Sequence, residues 1–113
     1  MSSIQTNPLY LLNAFSVNQL GSFPAAVKFT EQTVSEVQEV LAEGYCSAVG
    51  HGQTAEIFSR VLQTTIPVQR ITIELHPGDR AVLGQYRGPR LEEGARQLPD
   101  GARIHWYLVE IGG

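Results

Sequence analysis

The chain has 113 residues, 42% apolar and 17% charged, with eight Lys/Arg against eleven Asp/Glu for a formal charge of −3. That length makes one domain around one core, and that apolar content excludes an intrinsically disordered chain. The mildly acidic balance, with basic residues that begin at Lys28 and never form a run, argues against a broad, salt-sensitive grip on long nucleic acid.

Residues 1–7 are polar and lack any period, a loose lead-in to a domain over 8–113. Leu9 to Asn13 is an apolar run closed by a polar residue, the pattern of a strand covered on both faces. Ala25 to Thr30 is a second, weaker strand. Thr33-Val34-Ser35-Glu36 reads as a capping box; Val34, Val37, Val40 and Leu41 recur at helical spacing, and Gly44 stands where a left-handed residue ends a helix. Tyr45 to Val49 is a short buried strand. After Gly50-His51-Gly52 an amphipathic helix runs from about Gln53 to Gln63, with a buried stripe of Ala55, Phe58, Val61 and Leu62.

From Arg70 to Leu75 the apolar Ile71, Ile73 and Leu75 alternate with Thr72 and Glu74, which predicts a half-buried strand. The turn His76-Pro77-Gly78-Asp79 then returns Arg80 to Tyr86 antiparallel to it, as a hairpin. Arg87 to Ala102, rich in Gly, Pro and charge, is long enough to mark a functional loop with room for a helical turn. Ile104 to Ile111 closes the chain as a strand anchored by Trp106. The expected fold class is α+β: a single domain with a mixed sheet of about five strands and helices packed on it.

Cys46 is the only cysteine, so neither an internal disulfide nor a zinc knuckle can form, and a reducing compartment fits. The first twenty residues carry no positive n-region, and the apolar run Leu9-Tyr10-Leu11-Leu12 falls far short of the roughly 20 residues that span a bilayer. The expectation is a soluble cytoplasmic protein without a membrane partner.

Chemistry concentrates in Gly50-His51-Gly52-Gln53-Thr54, between a buried strand and a helix start. Flanking glycines let backbone N–H groups approach a ligand, a helix N-terminus seats phosphate, and a histidine there exchanges protons near neutral pH. The same residues also suit a plain helix cap, with His51 and Thr54 in that role, and spacing leaves both readings open. His76 in its turn and His105 in its strand read as solvated or half-exposed residues. The three histidines form no metal motif, so no metal or other cofactor is expected. Arg70 follows a Pro-containing turn, and Arg90-Leu91-Glu92-Glu93-Gly94 sets an arginine three residues from a glutamate. That spacing suits a weak surface ion pair, and equally a phosphate clamp beside a general acid.

Together these pieces resemble a known family. Leu9-Tyr10-Leu11-Leu12-Asn13, Ser47 to Glu56, Ile66-Pro67-Val68-Gln69-Arg70, Gly78-Asp79-Arg80 and Arg90 to Gly94 are similar, in that order, to the viral type III anti-CRISPR ring nucleases and their cellular relatives. The similarity runs from about residue 9 to 111. It implies a homodimer that binds cyclic tetraadenylate and opens it, without metal, to linear diadenylate. The ribose 2′-hydroxyl attacks its own 3′-phosphate, leaving a 2′,3′-cyclic phosphate and a free 5′-hydroxyl.

The resemblance maps catalytic roles onto His51, Arg90 and Glu93. It maps ligand contacts onto Asn13, Ser16, Gly50, Gly52, Thr54, Arg70 and Gln85, Ser16 being the polar residue after the first strand. Which of His51 and Glu93 is the general acid stays open. Gly88-Pro89 before Arg90 departs from the family pattern in the catalytic loop. The competing expectations are a binding module that holds the cyclic nucleotide uncut and a protein that uses the fold as a docking surface. The resemblance also leaves open a viral protein acting in the host cytoplasm or a cellular one.

Overall fold

Four consecutive apolar residues are too few for a buried helix but suffice for a strand whose two faces are both covered. In the computed structural model, which describes residues 8–112, that run is strand β1 (Leu9–Leu12), with Leu9 and Leu11 in one apolar cluster and Leu12 in another. The expected lead-in over residues 1–7 lies outside the described residues. The chain continues through β2 (Ala26–Gln32), helix α1 (Val34–Leu41), β3 (Cys46–Ser47), helix α2 (Gly52–Leu62), β4 (Arg80–Arg87) and β5 (Arg103–Gly112). The sheet order is β2-β5-β4-β1-β3: β1 lies parallel to β3 and β4, and β5 runs antiparallel to β4 and β2. This is the expected α+β domain with a five-stranded mixed sheet. No described helix is long and apolar enough to cross a membrane.

Local signals formed as read. The Thr33 hydroxyl accepts from the Glu36 N–H at 3.1 Å while the Glu36 carboxylate accepts from the Thr33 N–H at 2.9 Å, so each satisfies an orphan donor of α1. Gly44, at φ +108°, gives its N–H to the Leu41 carbonyl past the end of the helix. In α2 the buried residues are Ala55, Ile57, Phe58 and Leu62; Val61 is only half-buried, because the α2 stripe extends to Ile57 on its other side.

Both helices cover one face of the sheet, where Val37, Leu41, Phe58 and Leu62 meet Leu11, Val82 and Trp106. The opposite face carries Leu12, Leu83, Val109 and Ile111 beneath Phe15, Leu20, Ile73 and Leu75, which come from the segments after β1 and after α2. Two expectations fail here. Arg70 to Leu75 is no ladder strand, and it makes no hairpin with β4. β1 and β5 occupy both edges of β4, so its backbone has no donor left for a third neighbour. The alternation instead marks an extended segment lying over the sheet: Ile73 and Leu75 are buried, Ile71 is 39% exposed, and one isolated bridge joins Leu75 to Leu20.

The long loop is shorter than expected, since Arg87 still belongs to β4. Between Arg87 and Arg103 it holds two single turns, closed by Ala95 N–H to Glu92 carbonyl and Ala102 N–H to Pro99 carbonyl, with no helical turn. Each contains a glycine at positive φ, Gly94 and Gly101, which a helix would not accept.

A Cβ on Gly84 would lie 2.6 Å from both Phe58 Cζ and Trp106 Cζ3, whose rings pack with centroids 4.8 Å apart. Gly84→Ala therefore lowers stability by about 1–3 kcal/mol in denaturant titration, since neither buried ring has space to retreat. Burial first, then the Asp79 carboxylate and Cys46, raise the Tyr10 phenol above the ordinary tyrosine value, and burial raises Tyr45. The unfolded chain thus loses these protons first. Stability holds up to roughly pH 10 and declines above it, a trend that denaturation paired with tyrosinate absorbance measures.

Candidate functional site

Parallel strands all deliver their C-terminal ends to one edge of a sheet, and ligands of open α/β sheets gather there. At this edge β1 ends into Asn13, β3 ends into Ala48 to His51, and β4 ends at Arg87. β3 has only two residues, so something besides its ladder must fix the residues that lead into α2. That is Ser47, 3% exposed, whose hydroxyl donates to the Pro67 carbonyl at 2.6 Å and accepts from the Val49 N–H at 3.3 Å. Two residues on, the Gln69 N–H donates to the Val49 carbonyl at 2.9 Å, and the Arg70 Nε–H donates to the Gly50 carbonyl at 2.8 Å. The segment after α2 is thereby stitched along the segment before it.

This stitching explains Gly50. Its backbone is not in the left-handed region; its need is for space, because a Cβ there would lie 3.0 Å from Arg70 Cγ. Gly52 faces open space. His51 is the exposed N-cap residue of α2, with extended backbone and no capping hydrogen bond from its side chain. Its carbonyl accepts the first helical bond from the Ala55 N–H, so the imidazole is left available and the plain side-chain cap does not form. The N–H groups of Gly52, Gln53 and Thr54 have no intrahelical acceptors.

A cleft of about 520 Å³ opens there, lined by Asn13, Ala48, Gly50, His51, Arg70, Ile71 and Thr72. Four of the residues singled out in the sequence thus converge: Asn13, Gly50, His51 and Arg70. Arg90 and Glu93 line another cleft, of about 610 Å³, with Gln53, Leu91 and Glu92. The two clefts flank the same first turn of α2, where only Gly52 separates His51 from Gln53. The Gln53 amide donates to the Glu92 carbonyl, and the Tyr86 hydroxyl donates to the Pro89 carbonyl, which tethers the loop to the body of the domain.

Other sequence candidates lie apart from both clefts. Ser16 is the N-cap of the short 3-10 helix Val17–Gln19 and accepts from the Asn18 N–H. Thr54 is half-buried inside α2, and Gln85 is exposed on β4 opposite His105. Ile71 and Thr72 in the first cleft were missed by sequence reasoning; Gln53 in the second lies in the Gly-His-Gly-Gln-Thr run that the sequence flags, but without a role assigned to it.

The first cleft carries Arg70 and His51 and no carboxylate, which favours an anion, whereas the second sets Arg90 beside Glu92 and Glu93. Among the described residues the ion pairs are Arg60–Glu56, Arg80–Glu43, His76–Glu74 and His105–Glu31, so Arg70 and Arg90 are committed to no carboxylate. Of the two readings the spacing left open for Arg90, the surface ion pair with a loop glutamate does not form among the described residues. Ser47→Ala removes the hydroxyl that makes both bonds of the stitch and leaves the Pro67 carbonyl and the Val49 N–H unpaired; about 1–3 kcal/mol of stability should go with it, and the Gln69 amide should exchange faster with deuterium.

The profile of the STIV B116-like family matches residues 9–100. Uncharacterized protein 26 of Sulfolobus islandicus filamentous virus (isolate Iceland/Hveragerdi) is 36% identical over 87 residues, covering 76% of this chain and 73% of that protein. Uncharacterized protein ORF116 of Acidianus filamentous virus 1 is 34% identical over 86 residues, covering 75% of this chain and 73% of that protein. The solved structure of B116 of Sulfolobus turreted icosahedral virus superposes with a TM-score of 0.78 at 26% identity, over 92% of this chain and 99% of that one.

Proposed function

This chain belongs to the STIV B116-like family, and from that premise we propose that it is a metal-independent ring nuclease that opens cyclic tetraadenylate to linear diadenylate and so silences type III CRISPR effectors. The observation that carries the reading is the cleft in which Asn13, His51 and an ion-pair-free Arg70 meet the N-terminus of α2. Such a cleft suits one phosphodiester: backbone donors and a guanidinium take its oxygens, and an available imidazole reaches its reacting atoms.

In the reaction the substrate's 2′-oxygen bonds to the adjacent phosphorus while the bond from phosphorus to the 5′-oxygen breaks. The 2′-hydroxyl proton leaves to solvent, and the 5′-oxygen takes one up. Alignment of the 2′-oxygen and stabilisation of the phosphorane charge supply most of the acceleration. His51 touches the scissile phosphate, Arg90 neutralises the growing charge as the tethered loop closes, and Glu93 or His51 gives the proton to the leaving oxygen.

A homodimer fits the same reading. Phe29 is 49% exposed on the sheet face away from the helices, edge-on to Phe15 and Tyr107, with centroids 5.6 and 6.3 Å away. Val17 and Phe23, in the segment that crosses this face, are 64% and 65% exposed. An apolar patch of this kind is commonly covered by a partner, and a two-fold axis would double the clefts for a ring that can itself adopt two-fold symmetry.

One observation favours a second reading, a binder that does not cut: Arg90 and Glu93 line a cleft other than that of His51. Incubation with cyclic tetra- and hexaadenylate in chelator, at protein excess, separates the two. Linear products with 2′,3′-cyclic phosphate ends are expected; a bound but intact ring leaves the binder, and neither binding nor cleavage removes both. His51→Ala should slow cleavage on the order of 10²–10⁴-fold with binding retained, as for loss of a general acid–base group.

A further inference from the structure

Like charges placed directly opposite one another destabilise an antiparallel pair of strands. β4 and β5 nevertheless set Arg87 against Arg103 in the last pair of their ladder, where the chain leaves for the loop and returns. Both residues are exposed, and neither joins any ion pair among the described residues. Arg90 and Arg96 in the loop differ, since they share a cleft of about 540 Å³ with Glu92 and Asp100.

The register fixes where the pair points. Ala81–Val109, Leu83–Tyr107, Gln85–His105 and Arg87–Arg103 are successive pairs on one face of the ribbon, the face away from the helices. Along it the surface passes from apolar through polar to cationic, and the cationic end lies at the edge that carries Asn13 and His51. Arg87 lies three residues past the level of Asn13 and one strand over, with Arg103 two strands over, so at ~3.3 Å per residue and ~4.8 Å per strand the pair stands roughly 11–14 Å from Asn13. This is a span a small oligonucleotide can bridge.

We propose that Arg87 and Arg103 form a two-guanidinium fork for a phosphate group, which in the ring-nuclease reading is a non-reacting phosphodiester of the cyclic substrate. Planar guanidinium groups suit phosphate oxygens, and an anion between them converts a repulsive pair into a binding site. The assignment rests on the proposed function only for the identity of the ligand.

The test compares wild type, Arg87→Gln/Arg103→Gln and, as a control on the exposed face of α2, Arg60→Gln. Affinity for cyclic tetraadenylate should fall about tenfold per arginine removed, and the dependence of log Kd on log salt should become shallower, as expected when fewer phosphates are neutralised. kcat at saturating substrate should hold within about twofold, and Tm should stay level or rise because a repulsion is gone. Arg60→Gln should match wild type, and Arg87→Lys/Arg103→Lys should recover part of the affinity. If the double Gln variant melts below wild type, the two single variants are compared instead.

Unchanged affinity in the Gln variants overturns the fork while the ring-nuclease reading stands. If wild type does not bind cyclic tetraadenylate at all, that reading fails and pyrophosphate decides the fork. A pyrophosphate-induced rise in Tm that the Gln substitutions abolish supports it; equal shifts, or none in wild type, overturn it.

Discussion

A hydroxyl buried on a two-residue strand must have its bonds satisfied, and at Ser47 it gives one to Pro67 and takes one from Val49. The rest of the edge hangs on that stitch. It holds the segment after α2 against the segment before it, brings Arg70 onto the Gly50 carbonyl, and leaves His51 at the start of α2 with an uncommitted ring. Without it, β3 would have only its short ladder with β1 to fix the glycine-flanked histidine in space.

The sheet sets the wider geometry. β4 is central in the sheet: its edges are taken by β1 and β5, and at Gly84 it yields to the Phe58 and Trp106 rings. Its end carries the chain into the loop with Arg90 and Glu93. One face is sealed by both helices, while the other is crossed by irregular segments and leaves Phe29 partly bare. A net charge of −3 gives no hint of this arrangement, because Arg70, Arg87 and Arg103 are strung along the C-terminal edge of the parallel strands without carboxylate partners among the described residues. Net charge speaks to long-range fields; where single unpaired cations stand is a matter of local placement.

Readings that depended on near neighbours were legible in the sequence. The Thr33–Glu36 box, the stop at Gly44, the helix start at His51 and the Trp106 anchor all rest on interactions within a few residues or on a single large side chain. The segment Arg70 to Leu75 was misread because alternation reports which side chains are buried, not whether the backbone has a partner. Ile73 and Leu75 are buried on the sheet, but only Leu75 forms a bridge. Arg87 was assigned to the loop because Gly88-Pro89 hides the strand's true end; its pairing with Arg103 spans the whole loop, and no local pattern encodes it.

The sequence by itself determined the α+β class, the glycine-flanked histidine at a helix start and the residue types suited to phosphate, since these arise from hydrophobic period, capping chemistry and side-chain donors. Only the tertiary structure decided that Asn13, His51 and Arg70 share one cleft, that Arg90 and Glu93 line another, and that Arg87 faces Arg103. The physical reason is that parallel pairing of β1 with β3 and β4 joins residues far apart in the chain at one edge. Register and crossover direction, which set that edge, are properties of the packed sheet and not of any single segment.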